Sequence, residues 1–374
     1  MAPTLLGEHS DITCSNCGFE FAVGVVDQQI PTVVCPNCGN QRFEAAPLGA
    51  SLGDRLLVQK HFFDFRRPRR WEIAVFWNPE RPEQPFVKRI VGLPGEDVQL
   101  RGGDVWSNGR VARKSLPEQR AMRQLVYDHQ HRPRDYDRFP RWVIGSEGAA
   151  DELWRPDASD FVFDDAGTTS VRTHWLCYQH WQPERMAKGP VRDFVSYDGP
   201  EMSGENRVAD LMLVADVALS GNCAALNVAI DHRSDLFMVT LPTANDQPVS
   251  VTRNGERLSV GPTRARLKTS DPRNPRFQLV EVSVFDQRLM VAIDGELAFE
   301  PFDWDQSANL PLPPTNTLKF GALEGWVHLR APRVYRDIYY AQGPAGALRR
   351  PFAVEEPVRL EGDAFFALGD NTLT

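Results

Sequence analysis

Apolar and polar residues alternate in short runs along most of the chain, as in Ala209-Asp210-Leu211-Met212-Leu213-Val214, Asp235-Leu236-Phe237-Met238-Val239 and Leu279-Val280-Glu281-Val282-Ser283-Val284. A period of two sends successive side chains to opposite faces of a strand, so the pattern predicts a mainly β fold. Three dipeptides, Asn108-Gly109, Asn254-Gly255 and Asp294-Gly295, sit between alternating runs. Two-residue hairpin turns need a positive φ that these residues tolerate, so each predicts a hairpin. The run 286–299 reads as two paired strands, with further strands at 318–321 and 334–340. Many short strands at such spacing predict a two-sheet sandwich. The stretch 128–142, rich in Arg, Asp and Pro, interrupts the alternation and reads as a linker.

No apolar run reaches the roughly 18 to 20 residues that cross a bilayer. The best, 211–219, is broken by Asp216. The N-terminus has no basic region followed by an apolar stretch, so it does not read as a signal peptide. Any membrane anchor is expected outside these residues. With 374 residues, 42% of them hydrophobic, the chain can fill more than one core. Its formal net charge of -8 argues against a nucleic-acid partner, which would ask for a basic face. The local basic run Arg66, Arg67, Arg69 and Arg70, interrupted by Pro68, reads as a solvated surface turn.

Cys14-Ser15-Asn16-Cys17-Gly18 and Cys35-Pro36-Asn37-Cys38-Gly39 are twinned C-x-N-C-G units. Two thiolates two residues apart can grip one ion from a tight turn, and the glycine after them lets the backbone curl toward sulfur. Cys14, Cys17, Cys35 and Cys38 are therefore candidate ligands of one zinc ion; in an oxidising compartment the same four would instead form two disulfides. The residues between the units, 19–34, are apolar and acidic, which suits a structural zinc rather than a nucleic-acid finger. Cys177 and Cys223 have no such spacing and read as buried apolar residues. His174, His180 and His232 show no ligand spacing, and no metal is assigned to them.

Gly53-Asp54-Arg55-Leu56-Leu57-Val58-Gln59-Lys60 is followed by Pro68-Arg69-Arg70-Trp71-Glu72-Ile73-Ala74-Val75-Phe76 and then by Phe86-Val87-Lys88-Arg89-Ile90-Val91-Gly92-Leu93-Pro94-Gly95-Glu96. The chain closes on Phe365-Phe366-Ala367-Leu368-Gly369-Asp370-Asn371 and three more residues. This series resembles the boxes of type I signal peptidases, the S26-type serine/lysine proteases, in their usual order: G-D-x-[LV]-[LV]-V-x-K, the lysine box K-R-x-x-G-x-P-G-[DE], and G-D-N. The resemblance implies that Lys88 is the general base, with Arg89, Asp370 and Asn371 supporting it. A lysine can accept a proton near neutral pH only where its surroundings disfavour the charged form, and the apolar Val87, Ile90 and Val91 suit that. The family's serine box reads S-M-x-P-T-L, and this sequence opens Met1-Ala2-Pro3-Thr4-Leu5-Leu6. The nucleophile is therefore expected just upstream of residue 1, together with the oxyanion donors, and residues 1–374 alone are expected to be inactive. Ser51 lacks the Met and Pro context of a substitute.

The resemblance implies a signal-peptidase-like β catalytic core that takes two insertions. The expected division is 1–8, remnant of the serine box; 9–46, zinc ribbon; 47–124, first part of the core; 125–342, inserted sandwich; and 343–374, return of the core. The pattern of the large insert is similar to a concanavalin-like or laminin-G-like jelly roll, in which Trp175, Trp181 and Trp326 are candidates for stacking on sugars, against the more usual reading as core or half-buried residues. The implied function is cleavage of signal peptides from exported preproteins by a Ser/Lys dyad. The intact parent is expected to be anchored in the membrane with its catalytic region on the extracytoplasmic face. The alternative is a non-catalytic carbohydrate- or protein-binding module on the same scaffold.

Overall fold

The computed structural model describes residues 3–25, 32–41, 51–78, 82–83, 85–145, 153–165, 172–199, 204–306, 312–341, 353 and 356–371. Met1 and Ala2 of the serine-box remnant and parts of the cysteine module and return segment lie outside these. The described residues are mainly β, as the alternation predicts.

The cysteine module is an antiparallel hairpin, β1 (His9–Thr13) and β2 (Glu20–Gly24), with one C-x-N-C-G unit at its turn. The peptidase-like part follows with β3 (Ile73–Trp77), β4 (Pro85–Gly92), β5 (Asp97–Arg101), β6 (Asp104–Ser107) and β7 (Arg110–Val111). β4, which carries the lysine box, is the centre of a three-stranded sheet between β3 and the return strand Phe366–Leu368. β5 to β7 form a second sheet with Val358–Arg359. Trp71, Val91, Val98, Leu100, Val105, Ile338, Tyr340 and Leu360 pack between them as one core.

Two antiparallel sheets make up the sandwich. One runs Trp154–Asp157, Asp160–Asp164, Trp326–Arg336, Leu211–Leu219, Gln278–Phe285, Arg288–Ile293, Glu296–Leu297. The other runs Glu256–Arg257, Ser250–Arg253, Asp235–Pro242, Ala225–His232, Leu318–Leu323, His174–Tyr178, Trp142–Ile144. Inward positions of both, among them Trp142, Trp154, Phe163, Phe237, Phe299 and Phe320, share one core. The strand β8 (Gln124–Asp128) pairs with the far half of Trp326–Arg336 and ties the sandwich to the peptidase-like part. All three Asn-Gly and Asp-Gly pairs form the predicted tight turns, closing Ser107 on Arg110, Arg253 on Glu256 and Ile293 on Glu296. Asn108, Asn254 and Asp294 each have φ near +50°.

One expectation fails and another holds only in part. The stretch 128–142 is not a linker. It folds into short turns that bury His129, Tyr136 and Arg141, and it carries the cysteine module. Asn37 Nδ2 donates to the carbonyls of Asp128 (3.2 Å) and His131 (2.8 Å), while Asn16 Nδ2 donates to Asp135 Oδ1 (2.8 Å). The basic run is a solvated turn only in part: Arg67 and Arg69 are exposed, whereas Arg66 and Arg70 are half-buried and paired. Arg66 makes a forked pair with Glu72, at 2.9 and 2.6 Å, and Arg70 binds Glu96 and the Val91 carbonyl. Composition shows charge, whereas the partners that neutralise it are Glu72 just after the run and Glu96 of the lysine box.

Candidate active site and cysteine centre

Strand alternation places Lys88 on the face of β4 shared with Phe86 and Ile90, and Arg89 on the opposite face with Val87 and Val91. Arg89 is turned inward and only 4% exposed. Its guanidinium forms a fork with Asp370, Nε to Oδ1 at 2.7 Å and Nη2 to Oδ2 at 2.6 Å, and its Nη1 donates to the Trp71 carbonyl at 2.8 Å. Burial works against the guanidinium charge, but the Asp370 carboxylate more than offsets it and holds the Arg89 pKa above its usual value. Trp71 itself has a φ of +71°, a conformation a bulky residue rarely adopts.

The pair fixes the return strand against β4, with Leu368 opposite Arg89 and Ala367 opposite Ile90. Gly369 then arrives beside the lysine: a Cβ there would stand 3.5 Å from Lys88 Nζ and 3.0 Å from the Asn371 carbonyl. Lys88 itself is half-buried, with its ammonium 5.5 Å from the centre of the Phe86 ring. The N-terminal segment reaches the same place, because Thr4 Oγ1 donates to Asp370 Oδ2 at 2.5 Å. Two residues on, the Leu6 carbonyl accepts the backbone N–H of Asp54 of the G-D box at 2.9 Å, and the Asp54 side chain accepts the Leu6 N–H at 2.8 Å. Segments far apart in sequence thus meet at Asp370, with Gly369 beside Lys88. Ser51 is bridged to His9 through both backbone groups.

Sequence reasoning passed over a second charged cluster at the seam with the sandwich. Lys114 is buried, and its Nζ donates to Asp286 at 2.8 and 3.0 Å and to Asp337 at 2.7 Å. Burial disfavours its charge, yet these two carboxylates hold its pKa well above the ordinary lysine value. Asp104 and Asp210 lie beside Asp286, and Asp210 is bonded to His232 Nε2 at 3.0 Å. Burial first, and then the charges of Asp210 and Asp286, push the Asp104 carboxyl well above the usual carboxylate range.

In the cysteine module the two units fold alike. The N–H of Gly18 returns to the Cys14 carbonyl at 2.7 Å and that of Gly39 to the Cys35 carbonyl at 2.9 Å, with both glycines at positive φ. All four sulfurs gather within 4.8 Å of one another as free thiols, with Cys14 3.6 Å from Cys38 and Cys17 3.6 Å from Cys35. A tetrahedral ion about 2.3 Å from each thiolate would separate them by roughly 3.8 Å, so the group fits zinc. Asn16 and Asn40 aim their amides at Cys38 and Cys14, at 3.8 and 3.7 Å, as outer partners of bound thiolates do. Cys223 is buried, as expected, while Cys177 is half-buried and donates to the Gly145 carbonyl. Trp175, Trp181 and Trp326 are half-buried, not an exposed stacking platform.

Residues 49–159 match the family model described as "Signal peptidase, peptidase S26". That segment is signal-peptidase-like. The signal peptidase I of Leptolyngbya laminosa is 44% identical over 66 residues, which are 16% of this chain and 32% of that protein. The probable signal peptidase I-2 of Synechocystis sp. is 39% identical over 66 residues, 16% of this chain and 30% of that protein. The chain thus spans about a third of the length of the curated relatives it matches. Among solved structures, the carbohydrate binding module CBM66 from Bacillus subtilis superposes with a TM-score of 0.28 at 10% identity, over 53% of this chain and 92% of that one. The VIP36 exoplasmic/lumenal domain does so with a TM-score of 0.32 at 11% identity, over 59% and 92%.

Proposed function

We propose that the chain is the greater part of a signal-peptidase-type serine endopeptidase that cleaves signal peptides from exported preproteins. Lys88 is the general base in this reading, and the nucleophile is a serine immediately upstream of residue 1. The serine hydroxyl attacks the scissile carbonyl, Lys88 takes its proton, and a water later hydrolyses the acyl-enzyme. The observation that carries the reading is that Thr4 is bonded to Asp370 while Gly369, the residue before it, lies beside Lys88, which brings the Pro3-Thr4-Leu5 segment to the return strand next to the base.

Zinc held by Cys14, Cys17, Cys35 and Cys38 would be structural, since four thiolates close its coordination sphere and leave no position for substrate or water. Among the described residues no helix is long and apolar enough to cross a membrane. Leu52, Leu56, Leu57, Val58, Phe62, Phe63 and Phe65 are nonetheless exposed in one run, with Phe76 and Trp77 of β3 beside the lysine box exposed as well. Such an apolar run, interleaved with Lys60 and Arg67, suits a site working at a lipid surface beside an upstream anchor. Incubating the intact, detergent-solubilised protein with a preprotein should release a shortened mature chain with a new N-terminus. An uncut preprotein would contradict the proposal.

A further inference from the structure

An insertion between the lysine box and the G-D-N box need touch neither, yet one turn of the region between them, Ser196–Asp198, reaches two of the site's segments at once. Tyr197 Oη accepts the Gly7 N–H at 3.1 Å and donates to the Glu8 carbonyl at 3.2 Å. The next residue, Asp198, accepts from Asn371 Nδ2 on both carboxylate oxygens, each at 2.7 Å. Gly7 lies three residues after Thr4, and Asn371 directly follows Asp370, so the turn grips both segments on the outer side of the Thr4–Asp370 bond.

The local structure explains why such a grip has consequences. Residues 3–8 form no strand or helix of their own, so what positions them is a short set of bonds: the side chains of Asp370 to Thr4, Asp54 to Leu6 and Tyr197 to Gly7 and Glu8, with backbone N–H groups of Asp54 and Val25 on the Leu6 and Glu8 carbonyls. Tyr197 is itself held by the cysteine module. Its ring lies on Gly24 at the end of β2, where a Cβ would come within 2.7 Å of it. A base and a hydroxyl must meet at hydrogen-bond distance, about 3 Å, and a displacement of about 1 Å costs on the order of a hundredfold in rate.

We infer that Tyr197 and Asp198 are positioning residues through which the inserted region completes the peptidase site, Tyr197 by fixing the serine-box segment and Asp198 by fixing Asn371. The inference rests on the proposed peptidase function. Neither residue touches the reacting atoms; both act through the segments that carry them.

The test is preprotein cleavage by the intact protein carrying Tyr197→Phe, Asp198→Ala or Asp198→Asn, with Lys88→Ala as reference. Tyr197→Phe keeps the ring on Gly24 and loses only the hydroxyl. It and Asp198→Ala should lower kcat about tenfold or more while KM stays within about twofold. Asp198→Asn keeps an oxygen acceptor for Asn371 and should recover most of the loss. Thermal midpoint and metal content should match the wild type, which separates mispositioning from unfolding. If Lys88→Ala is inactive while Tyr197→Phe and Asp198→Ala cleave at the wild-type rate, the positioning claim fails and the peptidase reading stands. A loss of kcat that only follows loss of folded protein also overturns the claim. Full cleavage by Lys88→Ala overturns both.

Discussion

Replacing Asp370 with Ala tests what holds the candidate site together. The substitution removes a carboxylate whose side chain is 0% exposed and whose two oxygens bind Arg89 at 2.7 and 2.6 Å and Thr4 at 2.5 Å. Arg89, itself buried, keeps only the Trp71 carbonyl among these partners. Taking one partner from a buried ion pair leaves an uncompensated charge and costs about 3 to 5 kcal/mol. The same substitution at Asp363, whose pair with Arg67 joins side chains 74% and 83% exposed, should have no measurable effect. Urea unfolding, compared through midpoints at unchanged slope, reads the difference. The double variant Arg89→Met/Asp370→Leu should recover much of the stability, because apolar residues of similar volume leave no charge behind. It should not recover activity, since Thr4 has then lost its acceptor. If Asp370→Ala proves no more harmful than Asp363→Ala, the pair is not the clamp described here.

Removing Lys114 with a Lys114→Met substitution should cost a similar 3 to 5 kcal/mol in urea unfolding, because Asp286 and Asp337 would face each other without their cation; a change below about 1 kcal/mol would show that protonation of the acids makes up for it. Cys35→Ser should reduce bound zinc from one per chain to below the limit of metal analysis after dialysis against a chelator, and retention of a full equivalent would exclude Cys35 as a ligand. His129 is buried, and burial followed by the nearby Arg132 lowers its pKa from 6.5 to about 3. Its contribution to stability is therefore complete above pH 6.5 and is lost as pH falls from 6.5 toward 3, where the unfolded chain takes up the proton first. His129→Phe should flatten the stability profile across that window, and an unchanged slope would show that His129 does not titrate there.

Local chemistry was the legible part of this chain. Asn108-Gly109, Asn254-Gly255 and Asp294-Gly295 specify their turns through their own backbone preferences, and the twinned cysteine units carry their turn glycines with them. The lysine box was readable because its residues are contiguous in sequence, on one strand and the turn that follows it. A helix over Leu116–Met122 was overlooked, although Ser115 and Glu118 form a capping box three residues apart that announces it. The charged seam could not have been read, because Lys114 meets Asp286 and Asp337 from 172 and 223 residues away, and nothing in its own neighbourhood marks it as buried. For the same reason Tyr197 and Asp198 look like ordinary loop residues until the fold sets them against Gly7 and Asn371. The 128–142 stretch misled because Asn37 and Asn16, which dock on it, neutralise its polarity from another part of the chain.

The role of Lys88 as the base that takes the proton of a serine nucleophile is read from the rate of signal-peptide release by the intact protein with and without that lysine. Lys88→Ala should lower the rate by at least about a hundredfold with folding and metal content unchanged, the scale expected for removing a general base. Lys88→Arg should fare no better, since a guanidinium stays protonated at any working pH. Cleavage by Lys88→Ala at the wild-type rate would contradict it.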